Sequence, residues 1–187
     1  MRKFLAATLA LVALASPLGA GAPGSALDGL WFKVKVKAKG WTYGPGVPEP
    51  KKASFSTTVF VNLTFDTPAA EGGLSYTMSV WAEDSPDVWS LMDSDHASFP
   101  SSTGPELYLF QGMDFSISGP GPESITCQPL VAVKASKFSQ TGGVLKATFT
   151  SLGAGVDGGT FGLDVFFFGG ATLKGKTVDV ENLPFVP

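Results

Sequence analysis

The dominant pattern along the chain is an alternation with a period of two. In Phe32-Lys33-Val34-Lys35-Val36-Lys37-Ala38-Lys39 apolar residues alternate with lysines. Successive side chains of a strand point to opposite faces, so this stretch predicts a half-buried strand with one apolar face and one lysine face. Segments rich in Val, Thr, Phe, Tyr or Trp predict further strands over 54–65, 74–82, 88–92, 106–111, 130–138, 144–152, 160–168 and 171–178. Turn formers separate them: Gly44-Pro45-Gly46, Glu71-Gly72-Gly73, Gly119-Pro120-Gly121-Pro122, Thr141-Gly142-Gly143, Asp157-Gly158-Gly159 and Gly169-Gly170. The connections are short, and a parallel pair needs a crossover of about a dozen residues or more, so the pairing is expected to be antiparallel. The expectation is an all-β fold, a single antiparallel β-sandwich or sandwich-like barrel of about eight to ten strands, with residues 130–178 as a β-meander. The longest irregular stretches, 93–105 and 113–129, are where functional loops are expected.

Residues 1–26 follow a different logic. Met1-Arg2-Lys3 is positive, 4–15 is apolar apart from Thr8, and small residues follow. That is the layout of a secretory signal peptide, and the apolar run falls short of the roughly 20 residues that a bilayer span needs. Cleavage is expected after Ala20 or Ala26. The reading is therefore a leader over 1–26 and one antiparallel β domain over 27–187, exported to the periplasm or beyond the cell.

Charge narrows the function classes. Past the leader every basic residue is a lysine, because Arg2 is the sole arginine of the chain. Arginine is the usual bidentate clamp for phosphate and the usual reader of guanine, so nucleotide, phosphoryl-transfer and nucleic-acid functions are disfavoured. Between Ala53 and Val133 there are ten acidic residues and no lysine or arginine. Lysines on a strand blunt edge-to-edge aggregation and pair with acidic neighbours; the alternative role for the lysine stripe is to bind a polyanion. Cys127 is the single cysteine. It reads as a buried thiol.

Catalytic patterns are scarce. His96 is the single imidazole, no Gly-x-Ser-x-Gly elbow occurs, and nothing picks a catalytic pair from sixteen carboxylates. Gly153-Ala154-Gly155-Val156-Asp157-Gly158 has dinucleotide-loop spacing but no helix after it, and reads as a hairpin turn. Glu83, Asp84, Asp87, Asp93, Asp95 and His96 fall within one short acidic stretch, read mainly as a solvated loop and secondarily as a weak calcium site. No other cofactor is implied.

The aromatic residues are more informative. By the period-two phase Trp31 falls with Lys33 and Lys35, and Trp81 falls opposite Tyr76, Met78 and Val80, so both occupy nominally polar faces. With Trp41 and Tyr43 they are the candidate ligand-binding residues, able to stack on a sugar ring or anchor a protein partner; the competing reading for Trp31 and Trp81, both near strand ends, is that wrapping loops cover them or a bulge resets their phase. Val165-Phe166-Phe167-Phe168 puts aromatics on both faces of one strand, which is expected to be central and covered on both sides, the alternative being that it is part of an interface.

Gly29-Leu30-Trp31-Phe32, opening the first strand soon after a leader, resembles the Gly-x-Trp-aromatic opening of the lipocalins. The resemblance implies a barrel that carries a small apolar ligand, with the tryptophan facing the interior and a late basic residue over it, here Lys174 or Lys176. A small outer-membrane β-barrel is a further alternative, its lysine faces turned to a polar lumen. The residues themselves favour an exported non-catalytic module with a binding or structural role, its partner a glycan or an envelope protein, and the chain not membrane-spanning.

Overall fold

The computed structural model describes residues 27–45, 47–65, 75–98, 101–104, 107–110, 115–118, 123–140, 143–161 and 166–187. The leader expected over 1–26 lies outside them. The described chain is nearly all strand: β1 (Trp31–Gly44), β2 (Val47–Phe65), β3 (Ser75–Ser85), β4 (Val88–Ser98), β5 (Ser101–Gly104), β6 (Leu107–Phe110), β7 (Phe115–Ser118), β8 (Glu123–Phe138), β9 (Val144–Phe161) and β10 (Phe166–Val178), with a 3-10 turn at Val180–Asn182. Every pairing is antiparallel, and the strands join into one sheet in the order β4-β3-β2-β1-β10-β9-β8-β6-β5, with β7 hydrogen-bonded to β8. The fold is all-β in its barrel-like form, a single sheet curled into a half-barrel, and β8-β9-β10 form the meander.

Alternation builds the interior. Phe32, Val34, Val36 and Ala38 of β1 are fully buried, as are Val59, Val61 and Leu63 of β2, while Tyr76, Met78 and Val80 of β3, Val131 and Val133 of β8 and Phe149 of β9 are almost completely so. These side chains belong to one apolar cluster. Burying each large apolar side chain is worth about 1.5–3 kcal/mol, so the cluster supplies the main driving force for closure. Rings join distant strands across it: Phe32 of β1 lies 5.6 Å from Phe149 of β9, and Tyr76 of β3 lies 5.0 Å from Phe110 of β6. β7 packs against β3 and β4, which brings the two arms of the sheet together over the core.

Several strands are longer than composition predicts. Asp93–Ser98 continues β4, and β5, β7 and the start of β8 occupy stretches expected to be irregular. Their Ser, Asp and Gly content lowers strand propensity, and the sheet overrides it through pairing. The glycine runs at 157–159 and 169–170 are not turns either; they lie inside β9 and β10. The register of β9 slips against β8 between Thr126/Cys127 and Leu130/Val131, and against β10 between Phe166/Gly169 and Gly170/Lys174. These glycines serve bulges that bend a long strand, so the expected hairpin at 153–158 is a bulged strand interior. Where the ladder lapses, the Ser151 hydroxyl accepts the Leu173 N–H at 2.8 Å. The strand expected over 160–168 is divided between the end of β9 and the start of β10.

Candidate functional site

The face of β1 opposite the core carries Trp31, Lys33, Lys35, Lys37, Lys39, Trp41 and Tyr43, and the register decides their neighbours. On β10, Lys33 faces Lys176, Lys35 faces Lys174, Lys37 faces Thr172, Trp41 faces Phe168 and Tyr43 faces Phe166. On β2, Lys33 faces Phe60, Lys35 faces Thr58, Lys37 faces Ser56, Lys39 faces Ser54 and Trp41 faces Lys52. Residues directly opposite on antiparallel strands share a face, so six lysines form a two-column track flanked by hydroxyls. Two pairs oppose like charge to like charge directly, an arrangement that destabilises a sheet. Among the described residues no carboxylate is paired with these lysines. Three contiguous recesses run along the track. The middle one, about 460 Å³, is lined by Lys35, Lys37, Lys39, Gly170, Thr172 and Lys174. A second, about 530 Å³, shares Lys35 and Lys174 and extends to Lys33 and Lys176. A third, about 430 Å³, shares Lys39 and extends to Trp41 and Lys52.

Aromatic clusters stand at both ends of the track. At one end Trp41 (40% exposed), Tyr43 (48%), Phe166 (49%) and Phe168 (44%) form an open patch. The Tyr43 ring is 5.7 Å from both Phe166 and Phe168, and Lys52 Nζ sits 5.7 Å from the Trp41 ring. The strands lie unusually close here. A Cβ on Gly40 would strike the Phe168 carbonyl oxygen, and one on Gly169 the Lys39 carbonyl oxygen. The Thr42 hydroxyl, buried beneath the patch, donates to the Lys51 carbonyl at 3.4 Å.

At the other end the chain after β10 returns over the sheet and inserts Phe185. Its ring stacks on Trp81 at 4.9 Å and on Trp89 at 5.6 Å, and meets Trp31 at 5.8 Å and Phe60 at 5.6 Å edge to face. Trp31 is consequently only 8% exposed. The four candidate aromatics thus separate into two groups: Trp41 and Tyr43 are open, whereas Trp31 and Trp81 are covered by Phe185. Trp31 also lies on the lysine face and not among the apolar interior side chains, unlike the position implied by the lipocalin-like opening.

Phe166 and Phe168 were expected to be covered, and they are exposed although β10 is a central strand, whereas Phe167 between them is buried. The signal that locates them is the same period-two phase, continued from Lys174 back through Thr172 and Gly170. Phe185 joins the covered cluster without any comparable signal, since residues 179–187 have no alternation to read, and Trp89 reaches it from β4.

The acidic candidates are spread along one hairpin. Glu83 and Asp84 end β3, Asp87 sits in the turn with φ of 62°, and Asp93 lies in β4 opposite Val80. Glu83 Oε1 accepts the Asp87 N–H at 3.0 Å, so this carboxylate staples the turn. Asp95 and His96 occupy register positions opposite Met78 and Thr77, and their side chains lie outside the described ones. Asp93-Ser94-Asp95-His96 is strand, not the expected loop, and at about 3.3 Å per residue Asp93 is roughly 20 Å along the chain from Asp87. Among the described residues no three His, Cys, Asp or Glu side chains gather around a point that would hold a metal ion. Cys127 is buried in the core cluster.

No protein-family model and no curated protein matches the chain. A solved structure from Nitrosomonas europaea, provisionally described as AttH, is similar at 12% identity over 92% of this chain and 58% of that one, with a TM-score of 0.24. The chain therefore spans somewhat more than half the length of that protein.

Proposed function

We propose that the chain is an exported, non-catalytic module that binds a glycan on the outer face of β1 and β10, through the open aromatic patch of Trp41, Tyr43, Phe166 and Phe168. The observation that carries this reading is the patch itself: four large aromatic side chains, each at least 40% exposed, side by side on two paired strands. Isolated apolar residues on a surface are ordinary, but a contiguous aromatic patch marks a contact surface. Rings held by a rigid sheet lose little entropy on binding and offer flat faces to the C–H side of a sugar. Export is supported by the charged-then-apolar order of residues 1–26.

Two observations favour this reading over its alternatives. The interior is occupied by the chain's own side chains, with Phe32 against Phe149 and Tyr76 against Phe110, which counts against a lipocalin-like carrier. Polarity is inverted relative to an outer-membrane barrel, whose apolar band faces outward and whose lumen is polar; here the interior is apolar, and the outer face of β1 and β10 carries six lysines beside its aromatic patch.

Affinity electrophoresis through gels containing neutral or acidic polysaccharides tests the proposal, with Trp41→Ala and Trp81→Ala as paired variants. The expected result is retardation of the parent and of Trp81→Ala by at least one polymer, and its loss in Trp41→Ala. Retardation of Trp41→Ala equal to that of the parent would move the binding surface away from the patch.

A further inference from the structure

We infer that the glycan bound by this face is a linear acidic polysaccharide, bearing uronate or sulfate groups, laid along the lysine track with its end on Trp41. The inference rests on the glycan reading above and specifies its chemistry.

The first argument is energetic. Lys33 opposite Lys176 and Lys35 opposite Lys174 put like charges at the closest cross-strand spacing, with Lys37 and Lys39 continuing the column. Such pairs destabilise the free sheet. A module that needed lysines only to blunt aggregation would carry them on an edge strand, where unpaired backbone is the hazard. β1 and β10 are instead neighbours at the centre of the sheet order. A bound polyanion would offset the repulsion that the free protein carries.

The second argument is shape. The recesses of about 530, 460 and 430 Å³ share lysines and so form one trough along β1 from Lys33 to Lys52. Alternate residues of a strand are about 6.6 Å apart, so Lys33 to Lys39 places four charges in line over roughly 20 Å. Lysine presents its charge on a flexible stem with rotatable donors, which suits the repeating carboxylates or sulfates of a chain better than one fixed anion. Thr58, Ser56, Ser54 and Thr172 flank the lysines with hydroxyls able to meet sugar hydroxyls. The trough ends at Trp41, which Lys52 also approaches, giving a stacking platform beside a cation.

The third argument is charge segregation. The chain is net negative, at −3, yet Glu83, Asp84, Asp87 and Asp93 sit on the β3–β4 hairpin, with β2 intervening before β1. Along the track itself every charged side chain is a lysine, with Glu49 of β2 and Asp179 and Glu181 after β10 beyond its two ends, and a linear polymer samples that local field and not the net charge.

The test measures binding of the full exported chain to polygalacturonate, dextran sulfate and neutral dextran by isothermal titration across a salt series. The variants are a Lys35→Gln/Lys37→Gln/Lys174→Gln triple and a Lys137→Gln/Lys146→Gln pair from the far end of β8 and β9. Each lysine that displaces condensed counterions from a single-chain polyanion adds about 0.7 to the magnitude of the slope of log K against log salt. The expected result is binding of an acidic polymer that weakens more than tenfold on a fourfold rise in salt, roughly as counterion release requires. The triple variant should lose about two from that magnitude, and the pair should match the parent. Melting of the triple variant at or above the parent's temperature shows that the loss is not unfolding.

Salt-independent binding of neutral dextran, lost in Trp41→Ala and unchanged in the triple variant, would overturn this inference and leave the glycan reading standing. Equal affinity for single-stranded DNA of matched charge would overturn the polysaccharide assignment in favour of polyanions at large. Binding to anionic phosphatidylglycerol vesicles but to no polymer would overturn both readings.

Discussion

Replacing Phe185 with alanine removes the ring that covers one end of the lysine face. That ring touches Trp31, Phe60, Trp81 and Trp89 with centroid separations of 4.9 to 5.8 Å. A fully buried Phe is worth up to about 3 kcal/mol, and Phe185 is half-buried, so area alone gives about 1–1.5 kcal/mol. Edge-to-face and stacked contacts add about 0.5–1.5 kcal/mol, counted once because the four contacts share one ring. The expected loss is about 2 kcal/mol, which for a domain of this size lowers Tm by roughly 4–8 °C. Three of the four tryptophans lie in this cluster, so the variant should also shift emission to longer wavelength and raise iodide quenching. Val186→Ala, at a residue 94% exposed, should leave both signals unchanged. Parent-like emission and Tm in Phe185→Ala would refute the docking of residues 179–187 on the sheet.

Gly169→Ala should lose at least about 2 kcal/mol in a urea melt, because its methyl group meets the Lys39 backbone and β1 must separate from β10. Phe149→Ala, at a fully buried ring packed on Phe32, should lose about 3–5 kcal/mol by the same measurement. Glu83→Ala removes the acceptor of the Asp87 N–H at an exposed turn and should cost about 0.5–1 kcal/mol, with no effect on polysaccharide binding by titration. The Cys127 thiol, buried in the core, should react with a disulfide reagent only as fast as the protein unfolds, seen as equal rates for thiol modification and global hydrogen exchange.

The fold class was legible because alternation is the direct imprint of a sheet with one wet face. Phe32 to Lys39 specifies which side of β1 is buried, and the same phase puts Tyr76, Met78 and Val80 inside. Glycine misled where it bends strands: Gly153, Gly155, Gly158 and Gly159 lie within one bulged strand, and composition does not separate a bulge from a turn. Of the site, Trp41 and Tyr43 were legible as candidate stacking aromatics, but the alternation predicted a strand only as far as Lys39, and the extension of β1 to Gly44 is what puts them on the lysine face. The face of Phe166 and Phe168 follows from the phase read back from Lys174, but their place beside Trp41 and Tyr43 required the β1–β10 register, a pairing between residues more than a hundred positions apart. Trp31 and Trp81 were placed on the correct face, but their cover comes from Phe185, in a segment without periodicity.

The most direct measurement is an amide NMR titration of the exported chain with short polygalacturonate oligomers. The account predicts shifts concentrated at 33–43, 52–58 and 166–176, with the β3–β4 hairpin and the interior positions Val61 and Phe149 unmoved. Shifts centred on those interior positions, or none at all, would contradict it.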